Sequence, residues 1–338
     1  MKLPSYFKDF LAEIEPSPSY KEDQQAGHKT LRKRLAADED FKTIHVNTFL
    51  QGSYKRNTAI HPGKDVDVVV VTSLDPDRVT PADANKRLEK CLMKYYGADK
   101  VKPQNRSYCV TLSYVTLDVV IAASKHLMEE DAKLFKSILL AESLEKASAW
   151  ADNPLLIPDR DMGHWVETDP KRQLAWTTDL NLDCDGYFVP LVKMFKWWRK
   201  ETYQEPKYPK GYVLERIAGE CVDKSKRDHA EGFVQLLENI RAKYSTYAAL
   251  SIVPHLADPG VSSHNVAHRL SAEDFKTFMA KVEKVLPTAR AALNEQDIQK
   301  SADLWRDVFG SKFPAASAAA KASFPPIPVR PNKPAGFA

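Results

Sequence analysis

The 338-residue chain has four cysteines, Cys91, Cys109, Cys184 and Cys221, scattered with no CxxC pair. That excludes a zinc ribbon and a disulfide framework, and reads as reduced structural thiols in a cytoplasmic protein. No apolar run reaches the roughly 18 residues of a membrane span, and the N-terminus lacks the apolar stretch of a secretory signal. A protein that is neither exported by the general route nor membrane-spanning is expected. Charge of one sign is also scarce. A net +4 is too weak for charge-driven binding along nucleic acid, so no direct sequence-specific DNA binding is expected. It suits one cleft for an anionic ligand. No internal repeat is present.

What is there is ordinary in bulk: 43% apolar and 28% charged residues, on a chain long enough for two domains or one large one. Residues 5–36 alternate at roughly helical spacing, broken by Pro16 and Pro18. "TIHVNTFLQGS" reads as a strand ending in a Gly-Ser turn, and "KDVDVVVVTSL" as a second strand. "TPADANKRLEKCLMKYYG" has a helix start signal and a closing glycine. "RSYCVTLSYVTLDVVIAAS" holds two strand-like runs. "DAKLFKSILLAESLEKASAW" is helical by period. Residues 152–172 read as loop with a short strand. From "GYFVPLVKMFKWWRKETY" onward the pattern is helical, up to "IQKSADLWRDVFG". The tail "FPPIPVRPNKPAGFA" is proline-rich and poor in core residues.

Asp65 and Asp67 stand one residue apart at the mouth of the Val68–Val71 run. Strand alternation puts both on one side. Two carboxylates that close repel unless a cation lies between them, and the usual cation for clustered carboxylates is Mg²⁺. Asp118, inside "TLDVVIA", is the natural third. Such a trio suits two divalent ions that activate a hydroxyl and steady a leaving pyrophosphate. Gly52 permits a tight turn, after which Ser53 is expected to N-cap a helix whose free N–H groups face an anion. Trp165, Trp176, Trp197, Trp198 and Trp305 read as core residues, and His61 as a solvated loop residue. His264 and His268 form an HxxxH pair without the glutamate of a zinc-protease motif. The proline-rich stretches near 154–170 and 203–210 are candidate lids.

Together, "GSYKRNTAI", "DVDVVVV" and "TLDVVIA" resemble the nucleotidyltransferase superfamily pattern. The second half, with "HLADP…NV" and "W…FG…FP", looks like the helical domain of bacterial cGAS/DncV-like nucleotidyltransferases, the CD-NTases. The resemblance spans roughly residues 20–315. It implies an α+β fold: a polymerase-beta-like mixed sheet core with a C-terminal helical domain of the oligoadenylate synthase type. The domains would be a catalytic unit with an N-terminal helix over 1–172, a helical unit over 173–318 and a flexible tail over 319–338.

The resemblance further implies that Asp65, Asp67 and Asp118 are catalytic and hold two Mg²⁺ ions, with Mn²⁺ as substitute. Gln51, Gly52 and Ser53 would grip a triphosphate. Lys193 or Lys196, with Lys196 favoured, would reach it too, and Tyr212 would stack on a base. The related "SYxLE" pattern reads Gly211-Tyr212-Val213-Leu214-Glu215 here, so its serine is missing. The implied activity is synthesis of a cyclic di- or trinucleotide second messenger from NTPs, ATP among them, in CBASS anti-phage defence. Implied partners are a downstream effector reached through the product, and an activating protein or one conjugated to the C-terminal tail. Two alternatives are a non-cyclising transferase acting on an RNA end, small molecule or protein, and a dead nucleotide-binding module. The intact aspartate trio argues against the second.

Overall fold

A computed structural model describes residues 1–63, 65–124, 154–202 and 208–316. The helix expected over 131–150, the proline-rich tail from 319 and the 203–207 part of one candidate lid lie outside them.

The chain opens with α1 (Pro4–Ile14) and α2 (Pro18–Ala37), separated where Pro16 and Pro18 predict a break. Ser17 caps α2 by accepting from Tyr20 N. Next come β1 (His45–Leu50), the one-turn α3 (Gly52–Lys55) and β2 (Val66–Thr72). The next helix, α4 (Pro81–Tyr96), starts at a Thr80 cap and stops at Gly97, as its sequence signals predict. Three strands follow: β3 (Val101–Pro103), β4 (Tyr108–Thr111) and β5 (Thr116–Ala123). At three residues, β3 is too short to show a period.

The strands order as β1-β2-β5-β4-β3, with β2 and β5 parallel at the centre and their outer neighbours antiparallel. Val68, Val69, Val70 and Val71 are fully buried. Each such valine is worth about 1.5–3 kcal/mol of apolar burial. Alternation splits the strands between two cores. Val66, Val68 and Val70 pack with Leu117, Val119 and Ile121 against Leu31 and Leu35 of α2 and Leu88 and Leu92 of α4. Val69, Val71, Val120 and Ala122 face the other way. Asp67 and Asp118 belong to this second face, away from the covering helices.

Residues 155–168 form a hairpin where mostly loop is expected. Its strands are β6 (Leu155–Pro158), which joins β5 through Ala123 and Leu156, and β7 (Trp165–Thr168). The next helix, α5 (Pro170–Asp183), starts inside that expected loop. Asp169 caps it by accepting from Arg172 N, and Pro170 takes its first turn. This start signal is legible in the sequence but hidden among the loop-like prolines.

The remaining helices are α6 (Phe188–Thr202), α7 (Gly211–Cys221), α8 (His229–Ala249), α9 (Ala272–Asn294) and α10 (Ile298–Phe309). They share one core with α1, although α1 precedes the sheet in sequence. Phe7 and Phe10 pack against the rings of Phe309 and Phe313. Trp197, Trp198 and Trp305 are core residues, as expected, and Trp176 lies half-buried against them. No described helix is long and apolar enough to cross a membrane.

Candidate active site

Asp67 and Asp118 are Cα partners across the parallel β2–β5 pair. Each stands where its strand leaves the core, immediately before a fully buried valine. Asp65 lies just outside β2, exposed at its mouth. Burial pushes the Asp118 carboxyl up to about 7, and the charges of Asp65 and Asp67 add to the push. Burial also raises Asp67 to about 6, Arg56 opposing and Asp65 adding. Folding therefore concentrates negative charge that the surroundings do not fully offset.

An all-oxygen donor set of this kind fits a hard divalent cation and suits no soft one. Among the described residues, no three His, Cys, Asp or Glu side chains stand grouped closely enough to hold a metal as they are. Asp67 and Asp118 line a cleft of about 930 Å³, while Asp65 sits outside its lining.

The Gly-Ser turn borders the same cleft. Gly52 has φ 69°, and a Cβ there would lie 1.8 Å from Asp67 Oδ2. Glycine is thus required twice, by conformation and by the close approach of the carboxylate. Gln51 N donates to Asp67 O at 2.9 Å, tying the turn to the strand. Ser53 is not the expected N-cap. Gln51 holds that position without a side-chain bond, because left-handed Gly52 already begins the helical turn. Gln51, Gly52 and Ser53 all line the cleft.

The two candidate lysines separate. Lys196 lines the cleft, but its ammonium is committed: Nζ donates to Glu215 Oε1 at 2.6 Å and to Thr58 O at 3.0 Å. Arg56 binds the same carboxylate in a fork, at 2.9 and 3.2 Å. Lys193 pairs with Glu15 at 2.6 Å and is not part of the cleft lining. Tyr212 lines the cleft; its hydroxyl donates to Asp258 Oδ1 at 3.4 Å, and the Arg56 guanidinium lies 4.7 Å from its ring centroid. Asp258 also accepts from Gln173 Nε2 and Gly260 N.

Some lining residues escaped the sequence reading. Trp165 is half-buried: it packs against the sheet core and also walls the cleft, its indole N–H donating to Val79 O at 3.0 Å. His264 and His268 line the opposite loop, and His61 lies outside the cleft. Asp258 sits in an Asp-Pro-Gly turn, a signal that marks a loop but not its use.

The family model of a Second Messenger Oligonucleotide or Dinucleotide Synthetase domain matches residues 1–128. The chain is 41% identical to a probable cyclic AMP-AMP-GMP nucleotide synthase of Salmonella paratyphi B, over 93% of this chain and 92% of the relative. It is 37% identical to a cyclic AMP-AMP-AMP synthase of an Acinetobacter species, over 100% and 98%. Among solved structures it resembles Escherichia coli CdnC in a complex with HORMA-deltaN. That TM-score is 0.67 at 19% identity, covering 92% of this chain and 98% of the other, a likeness of fold.

Proposed function

The chain belongs to the bacterial CD-NTases, the cyclic oligonucleotide synthases of CBASS anti-phage systems, and we propose that its product is an adenylate-rich cyclic trinucleotide. It is a nucleotidyltransferase with NTP substrates. One observation carries the product assignment. The relatives at 41% and 37% identity, aligned over nearly the whole chain, are both named for three-membered rings with at least two AMP units.

Asp65, Asp67 and Asp118 are the residues to hold Mg²⁺, as two ions, with Mn²⁺ as substitute. When bound, such ions make a ribose hydroxyl a better nucleophile and offset charge on the departing pyrophosphate. The chain's own groups position the reactants. The Gly-Ser turn offers the backbone N–H groups of Gly52 and Ser53 to a triphosphate, with the Gln51 side chain beside them. Within their buried cluster Arg56 and Lys196 outnumber Glu215 in charge, which favours a phosphate beside them. Tyr212, held by Asp258 and Arg56, is a rigid base-stacking platform. In each step a ribose oxygen bonds to an α-phosphorus as the α–β anhydride bond breaks and pyrophosphate leaves. The last such step closes the ring. The β6–β7 hairpin, with Trp165, forms one wall of the cleft. The product signals to a downstream effector, and a protein partner switches the enzyme on.

The test is incubation with Mg²⁺ and all four labelled NTPs, phosphatase treatment, and mass spectrometry, with and without lysate from phage-infected cells. A phosphatase-resistant cyclic trinucleotide containing at least two AMP units is expected. A cyclic dinucleotide, or phosphatase-sensitive extension of an acceptor, would overturn the product assignment.

A further inference from the structure

The turn between β3 and β4 reaches the acidic end of the cleft. Gln104 Nε2 donates to Asp118 Oδ1 at 3.1 Å. The other end of the amide is fixed as well: Ser107 Oγ donates to Gln104 Oε1 at 3.0 Å. The backbone closes the same turn, Gln104 N donating to Ser107 O at 2.9 Å.

An exposed glutamine loses rotamer entropy when held in one arrangement, so its turn must be held too. The turn between β6 and β7 holds it. Arg160 Nη1 donates to the carbonyls of Gln104, Asn105 and Ser107. The Arg160 guanidinium lies 4.4 Å from the Tyr108 ring centroid. Asn105 Oδ1 accepts from Arg160 N and Asp161 N at 3.1 and 3.2 Å. Arg106 Nε donates to Asp159 Oδ2 at 2.7 Å, and that carboxylate is 1% exposed. Asp159 Oδ1 accepts in turn from the amides of Asp161 and Met162. Two surface turns, more than fifty residues apart in sequence, are thus fastened side by side. The side chain they hold against Asp118 is Gln104.

We propose that Gln104 is a positioning residue for Asp118. Its amide N–H occupies Oδ1 and fixes the plane of the carboxylate, leaving the remaining lone pairs for a divalent cation. Arg160 and Arg106 hold the turn that carries it. Outer partners that orient a metal-binding carboxylate typically contribute 10–100-fold in metal affinity or activity. The inference rests on the reading of Asp118 as a cation ligand, and the experiment separates the two.

Mn²⁺ is titrated into the metal-free full-length chain, and free Mn²⁺ is followed by electron paramagnetic resonance. Wild type, Asp118→Asn, Gln104→Met and Arg160→Lys are compared, with the thermal midpoint of each. Gln104→Met keeps the length of the side chain and removes the donor. Weakening by about tenfold in Gln104→Met at an unchanged midpoint is expected. Arg160→Lys, which keeps the charge and loses the fork, is expected to weaken binding less. Turnover of Gln104→Met should recover at high Mg²⁺, so that the half-saturating Mg²⁺ moves and the plateau rate does not. Weak binding by Asp118→Asn with wild-type binding by Gln104→Met would overturn the inference alone. Wild-type binding by Asp118→Asn would overturn the ligand reading beneath it.

Discussion

Lys196 and Glu215 form a buried ion pair, Nζ to Oε1 at 2.6 Å, at the end of the cleft where a triphosphate is expected. Thr58 and Arg56 complete the cluster. Thr58 Oγ1 donates to Glu215 Oε1 at 2.9 Å, and Arg56 forks onto both oxygens. The cluster holds two cations and one anion. Burial pushes the Glu215 carboxyl up, but Lys196 and Arg56 outweigh it and hold it below its ordinary 4.5. Lys196 is less well compensated, and burial holds its ammonium below its ordinary value. An arriving phosphate would redress that imbalance. The cluster also fastens the segment after α3 to α6 and α7.

Glu215→Gln should therefore be strongly destabilising, because it strands two buried cations. About 3–5 kcal/mol is expected at neutral pH. Denaturant unfolding measures it, and a loss under about 1 kcal/mol would sink this account of the cluster. The pH dependence has a definite sign. A carboxyl lowered on folding contributes fully above its ordinary value of 4.5, and the contribution is lost as pH falls through the lowered folded value. The stability gap between wild type and variant should thus be full at neutral pH and narrow as pH falls below 4.5.

Gly52→Ala tests the turn. The left-handed backbone costs a residue with a Cβ roughly 1–2 kcal/mol. The new methyl would also meet Asp67 Oδ2 at 1.8 Å, so the turn or the carboxylate must move. A displacement of about 1 Å at a reacting centre can cost on the order of 10²-fold in rate. Initial rates at saturating NTP should fall by that order, well beyond what the lost stability explains. Near-normal rates would mean that the turn does not set the geometry of the reaction.

Much of this was legible in the residues. The valine run fixes β2 as a buried strand, and a period of two puts Asp67 on the face opposite α2 and α4. Asp118 carries the same pattern in β5. The sequence cannot reveal which partner claims a charged side chain. Lys196 and Glu215 lie on different helices, and Arg56 and Thr58 come from the sheet half, so their union depends on tertiary packing. Gln104 was invisible for the same reason, since its role comes from two turns brought together by hairpins. The second role of Trp165 was hidden, because a tryptophan packed on a core looks the same in sequence whether or not it also walls a cleft. The N-cap expected at Ser53 failed on a single backbone angle at Gly52.

Asp118→Asn should separate stability from activity. The carboxyl is held near 7 by burial and then by Asp65 and Asp67, so its ionised form strains the metal-free fold at neutral pH. Asparagine removes that strain. In metal-free buffer the thermal midpoint should rise by a few degrees, since 1 kcal/mol moves a domain of 150–250 residues by about 2–4 °C. Product formation should fall by on the order of 10²-fold or more. A lower midpoint for the variant would show that Asp118 is compensated by the protein itself, and the case for a cation there would weaken.

Gly211→Ser asks whether the serine of the related pattern can be restored. A Cβ at Gly211 would lie 3.5 Å from Lys196 Cε and 3.7 Å from Nζ, ordinary contact distances. Gly211 is also the first residue of α7, where serine is a slightly better helix former than glycine, by about 0.5 kcal/mol. The fold should therefore accept the change with an equal or slightly higher midpoint. The added hydroxyl would stand beside the committed Lys196, at the cationic end of the cleft. One new hydrogen bond to a bound phosphate is worth about 0.5–1.5 kcal/mol net, so KM for ATP should drop severalfold with kcat little changed. An intact fold with unchanged KM would place the phosphate chain out of reach of Gly211, and Tyr212 and the turn at Gly52 would then have to carry the substrate without α7's first residue.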